Sequence, residues 1–325
     1  MTEENMAEED TAGDDTTGDG SYGELWLHRF MLRDSVRNEA YRQAISKTVK
    51  AGDVVLDIGA GTGILSLFAA QAGARKVYAV ERTNMAKMIA KIAERNGVQD
   101  IVEIFQCDVE NFMAPEQVDV IVSEWMGGYG VDENMLPLVL EARDLWLKPG
   151  GKILPEQVTA WMAPAWDSKL DEDINFWLSH PHGVDLSPIA EETVDELLCE
   201  RYHISKEDLR AEPQRLWTHD TYTCSVEESF LPFRASLSFP VSKGGKISAL
   251  ATWFSATFGN GLVLTNAPDA PSTHWGRTSF PLEHTITVEQ GEEVQVKFIC
   301  APSGPGYCHE EWSINVVNHS STGEL

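Results

Sequence analysis

Val54–Glu81 reads VVLDIGAGTGILSLFAAQAGARKVYAVE. VVLDI has the length and apolar character of a buried strand. The glycine loop GAGTG follows, then the helical run ILSLFAAQAG, which Gly73 stops. KVYAVE reads as a second strand. Strand, glycine loop, helix and strand together form the unit of a parallel α/β sheet that grips a nucleotide-like ligand. Glycines let the backbone turn sharply and come close to a ligand. The dinucleotide fingerprint is G-x-G-x-x-G, but Gly59, Gly61 and Gly63 give G-x-G-x-G, with the third glycine one position early. With Asp57 just before it, this spacing suits S-adenosylmethionine better than a pyrophosphate. Glu81 ends the second strand, where an acid accepts both ribose hydroxyls.

The same alternation extends on both sides. SVRNEAYRQAISKTVK (35–50) and MAKMIAKIAERNG read as helices, IVEIFQCD and VDVIVSEW as the third and fourth strands. NMLPLVLEARDLWL is helical with Pro137 near its start, and KPGGKILPE is a turn and strand. This pace indicates a doubly wound parallel sheet. The texture changes near Val158. Residues 166–201, rich in Asp, Glu, Trp and Leu, read as helical. Short alternating segments follow: YTCSV, ASLSFPV, ISALATWFSATF, HTITV, VQVKFIC and WSINVV. They indicate an antiparallel β domain, a sandwich or barrel. The expected organisation is a disordered acidic tail (1–20), an α/β domain (21–155) and a β domain (156–325).

Composition narrows the function. Of the net charge of −26, eight units lie in the tail, leaving −18 on the remainder. That argues against direct binding to a nucleic-acid backbone and favours a cationic partner. No run of 18 apolar residues indicates a membrane span, and the N-terminal stretch lacks the basic and apolar regions of a signal peptide. Cys107, Cys199, Cys224, Cys300 and Cys308 form no CxxC and no zinc spacing. Reduced thiols and a cytoplasmic location are expected, with the nucleus also open, and no metal.

After the fourth strand comes SEWMGGYGVDENM, Ser123–Met135, which sets Glu124 and Glu133 nine positions apart on a glycine-softened loop. Glu110, just after the third strand, is placed beside an adenine, though an acid at a helix start is equally ordinary there.

These features resemble the class I protein arginine methyltransferases. The matching motifs are SYGELWLHRFMLRDSVR (21–37), the glycine-loop unit, DVE (108–110), SEWMG with EN-ML (123–136), ARDLWLKPGG (142–151) and STHWGRT (272–278), in the family's order. The resemblance implies a Rossmann-like S-adenosylmethionine-binding domain followed by an antiparallel β-barrel with a helical dimerisation arm, about 167–205, that makes a homodimer. It implies that Arg37 pairs with the cofactor carboxylate. Asp57, Gly59 and Gly61 contact the methionine side, Glu81 the ribose and Glu110 the adenine, with His28 nearby. Glu124 and Glu133 hold the substrate guanidinium, and His274 meets Asp34 across the domain boundary. Tyr22, Met31, Met135 and Trp275 belong to the substrate pocket. The implied reaction is methyl transfer to arginine in a cationic protein or peptide, with mono- and asymmetric dimethylation. Either Glu133 or the Asp34–His274 dyad takes the proton.

Three departures stand out. Gly18 and Asp19 occupy the places of the Tyr-Phe pair in the family's N-terminal aromatic box, whose last position is Tyr22. GGYGVD, between the glutamates, is less bulky than usual and carries an extra acid, Asp132; an opened pocket or a more cationic substrate is the expectation. Gly276-Arg277 replaces a lysine-glutamine pair. Two alternatives accompany the main reading: a methyltransferase for a free guanidino compound, and a silent dimeric module of the same fold. An NAD-dependent oxidoreductase is disfavoured by the misplaced third glycine.

Overall fold

The computed structural model describes residues 21–192, 204–259, 261–304 and 307–317. The predicted acidic tail, including Gly18 and Asp19, lies outside the described residues, as do 193–203 of the expected arm.

Strands β1 (Val54–Ile58), β2 (Lys76–Val80), β3 (Val102–Phe105), β4 (Val118–Ser123) and β5 (Leu147–Leu154) form one parallel sheet in the order β3-β2-β1-β4-β5. Every residue of β1 is buried, which explains its unbroken apolar run. The chain moves outward from β1 to β3, then returns to β4 on the other side of β1. The order reverses there, and a crevice opens beyond the C-terminal ends of β1 and β4. The glycine loop leaves β1 and the glutamate loop leaves β4. Two motifs 65 residues apart are therefore brought to one place, with Ser123 Oγ donating to Ile58 O at 2.8 Å between the strand ends.

Helices α1 (Leu25–Arg33), α2 (Ser35–Thr48), α3 (Ile64–Gln71), α4 (Met85–Arg95) and α5 (Leu136–Trp146) complete this part. Helix α2 buries Arg37, Ala40, Tyr41, Ala44 and Ile45, the i, i+3, i+4, i+7, i+8 stripe of a helix packed on one face. Asp34 caps it by accepting from Arg37 N at 2.8 Å, a bond of about 1 kcal/mol. In α5, Pro137 sits in the first turn, where its missing N–H costs nothing.

The second half builds two antiparallel sheets. One holds β10 (Val263–Thr265), β9 (Gly245–Thr257), β6 (Gln157–Ala165) and β7 (Gln214–Asp220) in that order, with β11 (Thr278–Val288) also on β9. The other holds β13 (Tyr307–Val317), β12 (Glu293–Gly304) and β8 (Phe233–Pro240). Aromatic rings from both meet between them: Trp217 with Phe233 at 5.4 Å and Phe280 with Phe298 at 4.8 Å.

One sequence expectation fails here and one is refined. YTCSV is a turn rather than a strand, because Asp220 Oδ1 accepts from Tyr222 N and Thr223 N and bends the chain away. The strand is the preceding segment, β7. Residues 166–201 do not form continuous helix within their described part. Helix α6 (Ser168–Phe176) gives way to 3-10 turns at Trp177–Ser179, Pro181–Gly183 and Ser187–Glu192. His180 and His182, either side of Pro181, adopt φ of 55° and 57°, which no helix accommodates. Cys107, Cys224, Cys300 and Cys308 are free thiols.

Candidate active site

The crevice wall begins with the glycine loop. Gly59, Gly61 and Gly63 take φ of 70°, 54° and 77°. At Gly61 the need for glycine is doubled: a Cβ there would stand 3.1 Å from the His28 ring. His28 is buried in α1, its Nε2 2.9 Å from Tyr22 O. Glu81 is fixed by backbone donors, Gly61 N at 2.7 Å and Thr83 N at 2.8 Å. Asp57 Oδ2 accepts from Ser66 Oγ at 2.6 Å, while its Oδ1 is buried without a partner among the described residues. Burial pushes the Asp57 carboxyl up to about 7 against that bond from Ser66. A buried, unpaired acceptor beside a glycine loop is a place where a ligand's donor belongs. Glu110 lies exposed in a single 3-10 turn (Val109–Asn111) after β3, on the same edge.

Arg37 projects from α2 into this edge, 6% exposed. Its Nε and Nη2 both donate to Glu124 Oε2, at 3.1 and 2.8 Å, and Nη1 donates to Asn38 Oδ1. Burial alone would lower the Arg37 pKa; the Glu124 charge outweighs it and keeps the guanidinium ionised. Glu133 Oε1 accepts from Tyr22 Oη at 2.7 Å. Burial first, then the charge of Glu124, pushes the Glu133 carboxyl up to about 8. The same burial, with Glu133 opposite, holds the Tyr22 phenol well above its usual range. Each glutamate thus faces a donor from the N-terminal segment.

His274 Nδ1 lies 2.9 Å from Asp34 Oδ2, and His274 N donates to the same oxygen at 2.8 Å. Burial works to raise the Asp34 carboxyl, but the bonds from the His274 ring and from the Arg37 and His274 amides hold it below the usual range. Asp34 therefore does two jobs, helix cap on one oxygen and histidine support on the other.

A family model described as the arginine methyltransferase oligomerization subdomain matches residues 156–316, and one for ribosomal protein L11 methyltransferase matches 42–129. Protein arginine N-methyltransferase 6 of Danio rerio is 37% identical over 87% of this chain and 84% of that protein. Protein arginine N-methyltransferase PRMT10 of Oryza sativa subsp. japonica is 33% identical over 94% and 88%. This chain belongs to the protein arginine N-methyltransferase family. Among solved structures, the Trypanosoma brucei PRMT1 enzyme-prozyme heterotetrameric complex with AdoHcy has a TM-score of 0.78, with 27% identity over 92% of this chain and 100% of that one. Arabidopsis thaliana protein arginine methyltransferase 10, in an open conformation, has a TM-score of 0.74, with 28% identity over 92% and 99%.

In this arginine methyltransferase the stretch between the glutamates is tied to the β domain. Tyr129 is buried and turns into the β domain, where its ring meets Phe280 at 5.7 Å and its hydroxyl donates to Glu310 Oε1 at 2.6 Å. Asp132 accepts from Gly128 N and Tyr129 N at 2.7 and 3.1 Å, and burial pushes its carboxyl up to about 6 despite those bonds. It staples the loop. A loop that looks free in the sequence is thus tied down by groups far along the chain. Trp275 Nε1 donates to Met126 O at 2.6 Å, Asn266 Nδ2 to Gly128 O at 2.8 Å and Cys308 Sγ to Asp132 O at 2.8 Å. Trp275 thus holds the loop backbone. A Cβ on Gly127 or Gly128 would collide with Asp132 or Thr278, so these two glycines serve packing.

Met135 reaches the glycine loop, its Cε 3.6 Å from where a Gly59 Cβ would stand. Met31 sits one turn before Asp34 and accepts from Asp34 N. Sequence reasoning missed Asn266 and gave Arg277 little weight. Arg277 Nη2 donates to the carbonyls of Ala267, Pro268 and Ala270, closing the loop that presents His274.

Proposed function

We propose that the protein transfers methyl groups from S-adenosylmethionine to a guanidino nitrogen of arginine in cationic proteins or peptides. The carrying observation is the pair of buried-edge glutamates, one bonded to Arg37 and the other to Tyr22, at the end of a crevice built for that cofactor. The crevice residues fit it. Arg37 would take its carboxylate, Asp57 Oδ1 and the glycine-loop backbone its amino end, Glu81 its ribose and Glu110 its adenine. S-adenosylmethionine, when bound, supplies a methyl already activated by the sulfonium. The chain supplies position and charge. An arginine guanidinium is delocalised and stays protonated. Glu124 and Glu133 grip it by charge-assisted bonds and draw positive charge toward the nitrogens they hold. Glu133 must be ionised to do this, and it is then one acceptor for the released proton; Asp34–His274 is the other. Met31 and Met135 match the two methionines of asymmetric-dimethylating family members, and that resemblance supports mono- and asymmetric dimethylation.

Incubation with labelled S-adenosylmethionine and an RGG-type peptide, a histone-tail peptide or free arginine tests this directly. Mass analysis should find methylated peptide and unmodified free arginine. Label only on free arginine would replace the proposal with the small-molecule reading, and tight cofactor binding without transfer would point to the silent module.

We also propose a homodimer. A groove of 340 Å³ between α1 and α4, lined by Leu25, Leu32, Met88 and Ile92 among others, leaves apolar side chains exposed on one face, and Phe176 and Val184 stand exposed on the arm. Light scattering should give twice the chain mass of 36.0 kDa; a monomer at micromolar concentration would refute it.

A further inference from the structure

Asn266 follows β10 and is 2% exposed. Its Oδ1 accepts from Phe254 N in β9 at 2.9 Å. Its Nδ2 donates to Gly128 O, between the two glutamates, and to Gly276 O, two residues beyond His274, both at 2.8 Å. One amide therefore spends its acceptor and both donors on three separate segments. Two are the loops that carry the candidate proton acceptors; the third is the central strand of the larger sheet. Because both loop carbonyls bond one nitrogen, their separation is set by a single atom. No other side chain of this size supplies one acceptor and two donors in this arrangement. An aspartate would aim an oxygen at two carbonyl oxygens, and a serine reaches one at most.

We infer that Asn266 is a positioning residue for methyl transfer, fixing the glutamate loop relative to the His274 loop. This rests on the arginine methyltransferase reading above. Asn266 contacts none of the groups assigned to the cofactor, so its effect falls on the reaction step and on substrate, not on cofactor binding. Trp275 Nε1 on Met126 O ties the same two loops one turn away, and Arg277 stiffens the His274 loop from behind. Asn266 is the link among these that also anchors both loops to the sheet.

The test compares Asn266→Asp and the milder Asn266→Ser with the wild-type protein. Cofactor affinity is read by calorimetry with S-adenosylhomocysteine, and kcat and KM for the preferred arginine peptide are read across pH 6 to 10. The expected result is cofactor affinity within about twofold of wild type and kcat lower by on the order of 10- to 100-fold, the scale of an ångström-level misplacement. The kcat/KM pH profile should also shift in both variants, more in the aspartate. Two outcomes overturn the inference. One is a folded, cofactor-binding variant with wild-type kcat and pH profile. The other is loss of cofactor binding in both variants together with their folding transition, which marks a purely structural residue. Wild-type protein that methylates no arginine substrate defeats the functional reading instead, and the two failures are thereby distinguished.

Discussion

Glu133→Gln should abolish turnover on arginine peptides, with a loss of about 100- to 1,000-fold and little change in cofactor affinity. It should also erase a limb of the pH profile. Burial and the Glu124 charge raise the free Glu133 carboxyl to about 8, and only its ionised form attracts a guanidinium. Wild-type kcat/KM should therefore climb about tenfold per pH unit on the acid side and level off above about pH 8. The sign is fixed by which form acts: the proton must leave before substrate binds. The same raised value makes the folded protein hold a proton that the unfolded chain releases near the ordinary carboxylate range. Glu133 therefore costs stability as pH rises from about 4.5 toward about 8, and the Gln variant lacks this loss. A glutamine variant with the wild-type rate and the same acid limb would exclude Glu133 from the reaction.

Glu124→Gln should be comparably inactive but differ in stability. Arg37 is buried and its fork closes on Glu124 Oε2 alone. Losing that charge leaves a buried guanidinium with only neutral acceptors. Breaking a buried pair costs about 3–5 kcal/mol, and the lower end applies because the amide oxygen still accepts. The melting temperature of the cofactor-free variant should fall by several degrees. S-adenosylhomocysteine brings a carboxylate of its own and should raise it by more than it raises the wild type. Equal cofactor-induced shifts in the two proteins would show that Arg37 does not exchange Glu124 for the cofactor.

Much of this architecture is visible in the sequence because the signals are local. A buried strand, a glycine loop and an apolar helix declare themselves within 28 residues of Val54, and the glutamate pair stands on one loop. What escapes is long-range. Nothing around Tyr129 signals that its hydroxyl finds Glu310, 181 residues away. Asn266 looks like an ordinary residue closing a strand, and its partner Gly128 lies 138 residues back. Asp132 reads as a free acid because its partners are backbone N–H groups, invisible in a list of side chains. The arm misleads in the opposite direction: its composition favours helix, but Pro181 and the left-handed histidines beside it decide the backbone.

Three donors that hold the glutamate loop, the Trp275 indole, the Asn266 amide and the Cys308 thiol, belong to the β domain, whereas both glutamates, with the Arg37 and Tyr22 that bond them, belong to the α/β domain. Reagent and template are consequently written in different halves of the chain. The residues assigned to the methyl donor all lie in the first half, but the loop between the two carboxylates proposed to grip the acceptor is also held from beyond residue 260. Substitutions in the second half can therefore retune which arginines are accepted while the grip on the methyl donor stays as it is.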